Sequence, residues 1–258
     1  MTTSVSFSGA LDVPVWIDAI AVLVGSAFGG LTAAQRKLDV VGAVGLAMLC
    51  GLGGGLVRDI IMQSGDVYML RTPYAIPAAA VAGLLSFFAS SRLKNASTVM
   101  EWLDILVIGL FAASGSDKAL VYGLNVWAQV FMGTMTGVGG GMLRDVFLGD
   151  VPNIFKKGNF YALCAVFGSC AYLGAVALGL DKVLALLACL FVTVVLRRVS
   201  LRFDVLSPTD DDIRRSLHHL GHHGEKNRGA VAPADSEVEG DADADASDGV
   251  EGDSEEAG

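Results

Sequence analysis

The sequence predicts an all-α integral membrane protein. It would have seven transmembrane helices, two inverted three-helix repeats plus a seventh helix, and a disordered C-terminal tail. Three observations predict this. The chain of 258 residues is 53% hydrophobic and only 17% charged, with a mean hydropathy of +0.55, whereas a soluble domain carries about 25% charged residues. Seven apolar runs approach the length of about 20 residues that a bilayer requires. Finally, the first half of the chain matches the second at a shift of 86 residues.

The runs fall at 16–34, 40–62, 74–89, 102–120, 126–148, 160–178 and 182–196. The third is short, and an earlier start is the expectation for it. No Lys or Arg precedes the first run, so it reads as a retained helix rather than a signal peptide. Trp16 and Trp102 open their runs, where aromatic belts occur. Short polar connections such as Gln35–Asp39 and 90–95 separate the spans. The domains expected are a first repeat at 12–96, a second at 97–180, the seventh helix at 181–203 and the tail at 204–258.

Charge sets the orientation. The loops after the first, third and fifth spans share a side with the C-terminus. That side carries Arg36, Lys37, Arg92, Lys94, Lys156, Lys157, Arg197, Arg198 and Arg202, against Arg71 and Lys182 opposite. The positive-inside rule then predicts a multi-pass protein of the cell membrane, with its N-terminus outside and its C-terminus in the cytoplasm. The formal net charge of −9 is misleading, because residues 204–258 hold 16 acidic and 4 basic side chains while 1–203 hold 11 and 14. Low hydrophobicity and high net charge predict a disordered tail. Its cluster Leu217-His218-His219-Leu220-Gly221-His222-His223 has no Cys or fixed acid to complete a metal site. Cys50, Cys164, Cys170 and Cys189 all lie in apolar runs and read as small buried hydrophobes.

Across 16–61 against 102–147 there are 14 identities in 46 ungapped positions. Trp16-Ile17-Asp18 aligns with Trp102-Leu103-Asp104, and Gly-Gly-Gly-x-x-Arg-Asp recurs as Gly53, Gly54, Gly55, Arg58, Asp59 and Gly139, Gly140, Gly141, Arg144, Asp145. Three spans per unit is an odd number, so the second unit enters from the opposite face. Inverted repeats of this kind place ion and substrate paths near the bilayer midplane.

The second and fifth spans carry the unusual residues. Each glycine costs about 1 kcal/mol of helix propensity against alanine, so three in a row are expected to bend or break the helix and turn its freed backbone toward protein or water. Close helix packing is the alternative use, and it is the expectation for Gly25, Gly29, Gly83 and Gly174. Each buried charge costs about 2.5–3.5 kcal/mol on insertion scales. Neighbouring residues do not face each other on a helix, so Arg58, Asp59, Arg144 and Asp145 are expected to bridge to other helices, as structural ion pairs or as gating charges. Lys118, near the outer end of the fourth span, aligns with Thr32; it either snorkels to water or lines a path. Asp18 and Asp104 read as helix-start acids that complement the dipole, and Pro152 as the residue that ends the fifth span.

Several functions are excluded. No Cys-x-x-Cys spacing appears. Leu56 and Met142 stand where a dinucleotide fingerprint needs its third glycine, and all four histidines lie in the tail. No enzyme, cofactor, metal or nucleic-acid partner is expected.

The paired motif in a duplicated three-span unit with a seventh helix resembles the prokaryotic trimeric intracellular cation (TRIC) channels. These belong to a bacterial membrane family whose repeated domain is also labelled glycine transporter domain, or UPF0126. The resemblance covers about residues 12–203 and includes Gly115–Ala119 and Val151-Pro152. It implies a homotrimer with one pore per subunit, kinked second and fifth helices lining it, and conduction of monovalent cations such as potassium. Carried over by position, the pore or gating residues are Gly53–Gly55, Arg58, Asp59, Lys118, Gly139–Gly141, Arg144 and Asp145. A secondary transporter for a small amino acid such as glycine satisfies the same repeat. A non-transporting scaffold whose glycines only pack helices is disfavoured, because buried Arg-Asp pairs are an expensive way to pack.

Overall fold

The computed structural model describes residues 15–93, 95–155 and 161–203. The expectations for the acidic tail, its histidines, Lys94, Lys156, Lys157 and the start of the sixth span at Phe160 lie outside the described residues. The described chain is helical: α1 (Val15–Gln35), α2 (Val40–Met62), a single turn α3 (Tyr68–Arg71), α4 (Ala75–Ala89) running into a 3-10 turn (Ser90–Arg92), α5 (Ala96–Val121), α6 (Val126–Phe147), α7 (Tyr161–Ala177) and α8 (Lys182–Phe203). By length and composition, α1, α2, α4 with its 3-10 turn, α5 and α8 are long and apolar enough to cross a bilayer. At 17 residues α7 is shorter. Helix α6 has the length, but Gln129, Thr134, Thr136, Arg144 and Asp145 lower its hydropathy.

Local chemistry explains most boundaries. Asp39 caps α2 by accepting from the Gly42 amide at 2.7 Å, and its repeat partner Asn125 caps α6 by accepting from Ala128 at 2.9 Å. Helix α2 stops at Gln63 in the left-handed region, φ 48°, and α6 stops just before Gly149, φ 73°. Pro152 therefore does not end α6, because the glycine has already turned the chain. Helix α5 starts at Ala96, earlier than expected, so Trp102 sits inside the helix rather than at its mouth. The fourth span thereby gains a polar turn that hydropathy alone omits.

The repeat is visible in the packing. Helices α1, α2 and α4 pack on one another as α5, α6 and α7 do, α2 crosses α6 between the two units, and α8 packs on α5 and α7. A methyl group added at Gly29 would stand 2.7 Å from the Leu46 carbonyl; one added at Gly115 would stand 2.7 Å from the carbonyl of Met132. Those four residues are two pairs related by the same 86-residue shift. Gly25 and Gly83 also sit in tight contacts, whereas among the described residues nothing lies within 4 Å of the corresponding point on Gly174, so it packs against no other helix of its own chain there. Cys50, Cys164 and Cys189 are buried as expected, but Cys170 is exposed on α7.

Candidate functional site

The glycine triplets meet where α2 crosses α6. A methyl on Gly54 would come within 2.5 Å of the Thr136 carbonyl, and one on Gly140 within 2.7 Å of the Cys50 carbonyl. Thr136 and Cys50 are themselves repeat partners, so each helix reads the other through the same contact. The expected break is not there: both helices run uninterrupted through their glycines. In hydrocarbon an unbonded backbone group costs several kcal/mol, far above the propensity penalty measured in water, so the ladder survives. The missing side chains serve close approach instead.

One turn beyond the crossing, the first Arg-Asp pair forms a buried network at one end of the bundle. Arg58 is 1% exposed. Its Nε donates to Asp59 Oδ1 at 2.8 Å, and its Nη1 reaches Ser114 Oγ at 2.6 Å and Asp18 Oδ1 at 3.2 Å. Ser114 in turn donates to Asp18. Lys118 Nζ, on α5, adds a second cation to Asp59 Oδ1 at 2.7 Å, and the Tyr68 amide donates to Asp59 Oδ2 at 2.8 Å. Every oxygen of Asp59 is thus engaged, which is how a carboxylate is tolerated away from water. Asp18 belongs to this network, so its role exceeds complementing the dipole of α1.

The second pair forms the counterpart at the other end. Arg144 Nε donates to Asp145 Oδ1 at 2.8 Å, and the Asn153 amide donates to Asp145 Oδ2 at 2.9 Å. The Arg144 guanidinium lies over the Phe28 ring at 4.9 Å. Asp104 accepts from Tyr161 Oη at 3.0 Å, and Arg197 of α8 lies over the Tyr161 ring at 5.2 Å. Both Arg-Asp pairs close on themselves, contrary to expectation. The arginine chain is long enough to fold back onto the next residue, and Arg58 bridges to other helices as well.

Beside the first network is a small cavity of about 10 Å³ lined by Asp18, Gly51, Gly55, Arg58 and Tyr68 among others, room for about one water. On the far side of α5, Asp117 accepts from Tyr172 Oη at 2.8 Å and pairs with Lys182 at 2.9 Å, tying α5 to α7 and α8. Among the described residues no cluster of His, Cys, Asp or Glu is arranged to hold a metal ion.

Two matched segments, 15–90 and 101–177, fit the family described as Glycine transporter, and together they span more than half of the chain. The chain belongs to the glycine transporter family. A UPF0126 membrane protein of Deinococcus radiodurans is 31% identical over 155 residues, 60% of this chain and 72% of that protein. The UPF0126 inner membrane protein YadS of Escherichia coli is 25% identical over 198 residues, 75% of this chain and 94% of that one. Among solved structures, a TRIC trimeric intracellular cation channel orthologue from Rhodobacter sphaeroides matches with a TM-score of 0.68 at 28% identity, covering 73% of this chain and 97% of that one. This glycine transporter family member is thus an all-helical membrane protein with the fold of a prokaryotic TRIC channel.

Of the residues singled out by sequence, the structure joins Arg58, Asp59 and Lys118 in one network and Arg144 with Asp145 in another. Gly53, Gly54, Gly139 and Gly140 lie at the family member's α2–α6 crossing, while Gly55 and Gly141 lie beside it, with Arg58 Nη2 at 3.9 Å and Tyr161 Oη at 3.0 Å from their absent methyls. Sequence reading missed Ser114, Phe28, Tyr161 and Arg197. The repeat shift could have found the first two, which occupy one aligned position. Tyr161 aligns with Ala75, and Arg197 lies outside the repeat and reads from sequence only as an orienting charge, so neither is marked there as a partner of this network.

Proposed function

We propose that this protein is a membrane channel for monovalent cations of the potassium type, acting as a homotrimer with one path in each subunit along the α2–α6 crossing. The reading is carried by one observation: two charge-balanced Arg-Asp networks stand at opposite ends of a crossing made of glycines. Such a pair is costly for a scaffold, because well-packed apolar residues do that work without buried charge. The likeness to a solved cation channel supports it. Each network carries as much positive as negative formal charge, so neither repels a cation by a net positive charge of its own.

Lys118 is the natural moving part. It is the flexible cation at the edge of the first network, 12% exposed at its side chain against 1% for Asp59. Its withdrawal would free an Asp59 oxygen for an entering ion. At the crossing itself the backbones touch, so conduction requires the glycine faces to slide apart. The N-terminus is assigned outside and the C-terminus to the cytoplasm by the positive-inside rule, since alternating spans would bring Arg36, Arg92, Arg197, Arg198 and Arg202 to one side.

A second reading, uptake of a small zwitterion such as glycine, is favoured by the cavity that exposes both Asp18 and Arg58, groups suited to an ammonium and a carboxylate. Room for about one water does not admit an amino acid in this conformation. Single-channel recording in planar bilayers under a potassium chloride gradient tests the choice. Discrete openings that reverse near the potassium equilibrium potential are expected. Silence from a folded trimer, with saturable uptake of labelled glycine into vesicles, would replace the channel by the transporter.

A further inference from the structure

We propose that Arg36 and Asp150 form a salt-sensitive clasp that holds shut the cytoplasmic end of the path between the repeats. The proposal rests on the channel reading above. It starts from a pattern in the pseudo-symmetry. On the outer face, the end of α5 sends a cation into the other repeat: Lys118 reaches Asp59 at 2.7 Å and the Asp66 carbonyl at 3.4 Å, just beyond α2. On the inner face Thr32 takes the place of Lys118 and bonds its own helix, at the Phe28 carbonyl, 2.8 Å away. The cation arrives one turn later instead. Arg36, just past the end of α1, pairs with Asp150 just beyond α6. Asp150 is in turn tied to the motif, since its amide donates to the Asp145 carbonyl at 2.8 Å. Each repeat's first helix therefore clasps the end of the other repeat's glycine helix.

The two clasps differ in solvent access. The outer one is buried, with side chains 12% and 1% exposed, while the inner one is 50% and 31% exposed. Mobile ions screen exposed pairs over about 10 Å at 0.1 M and reach buried pairs far less. The outer face is also filled where the inner is not: Tyr122 stands at the repeat position of Arg36, and its hydroxyl packs so closely on Gly65 that a methyl there would overlap it. Arg71 and Asp66 also pair in the open on the outer side, but both belong to the first repeat. Arg36–Asp150 is the exposed pair that joins the two repeats across the path, so the opening between them responds to the ionic strength of the inner bath.

The test is the ratio of open to closed times in planar bilayers under a fixed potassium gradient, with N-methylglucamine chloride added to one side. Added on the C-terminal side, it should raise the ratio about two- to five-fold, the scale of one exposed pair; added opposite, it should change nothing. Asp150→Asn should begin at the raised ratio and lose the response. The swap Arg36→Asp with Asp150→Arg should restore both. Asp150→Asn with a wild-type ratio and response overturns the clasp. A second readout does not need conduction: spin labels at Lys37→Cys and Val151→Cys, in a Cys170→Ser background, report the distance between the two loops. That distance should lengthen with salt and with Asp150→Asn. An unchanged distance overturns the clasp even in a conducting protein, whereas a salt-sensitive distance in a silent protein overturns the channel reading and leaves the clasp standing.

Discussion

Ser114 and Phe28 hold the same place in the two repeats, and each meets the arginine of the opposite one. Ser114 accepts from Arg58 at 2.6 Å, and Phe28 lies under Arg144 at 4.9 Å. One position thus supplies a hydroxyl at one end of the bundle and an aromatic ring at the other. The duplication kept the arginines and let their partners diverge. The first network became a dense hydrogen-bonded cluster with Lys118, while the second relies on ring stacking and on Tyr161 and Arg197.

Removing Arg58 should therefore be the most damaging single change in the first network. Arg58→Ala leaves Asp18 and Asp59 without their shared cation in a buried site, a loss of about 3–5 kcal/mol. Arg198→Ala removes an exposed pair with Glu101 and a stack on Trp102, and should cost about 1 kcal/mol. Thermal melts of the purified protein in detergent compare the two. Equal melting points would mean that the Arg58 network adds nothing to the fold.

The glycine triplet separates into unequal members. Gly54→Ala and Gly140→Ala push a methyl against a backbone carbonyl and must drive α2 and α6 apart, with a cost of about 1–3 kcal/mol or more. Gly55→Ala meets nothing nearer than Arg58 Nη2 at 3.9 Å and gains helix propensity of about 1 kcal/mol. Melting temperature should fall for the first two and hold or rise for the third. If the triplet were a helix break, all three substitutions would act alike.

Much of the architecture was legible because duplication writes itself into sequence: two motifs at one separation, with Asp39 and Asn125 opening the same helix twice. The pairing of Arg58 with Asp18 was not, since the charge sits 40 residues away on another helix and nothing local marks it. The glycines were misread as a break because their helix penalty comes from water, where the backbone has other partners. In the bilayer interior it has none, so the helices stayed whole. Cys170 and Gly174 were misread for a simpler reason: an apolar run does not say which of its faces turns outward.

Lys118 offers the sharpest functional prediction. Lys118→Met keeps the apolar stem and removes the charge, so Asp59 retains Arg58 and the Tyr68 amide but has one lone pair left without a donor. Under the channel reading that carboxylate becomes an available cation ligand without any movement of the side chain. Openings should become more frequent, and current entering from the outer side should rise relative to current entering from the cytoplasm. Asp59→Asn in the same background should reverse the gain, because an amide offers an ion no charge. Thr32→Lys is the mirror experiment: it adds a cation at the Asp145 end one turn before Arg36, which the wild-type protein commits to Asp150. It should reduce current entering from the inner side. Current–voltage curves of single channels measure all three, and unaltered rectification in Lys118→Met would remove Lys118 from the permeation path.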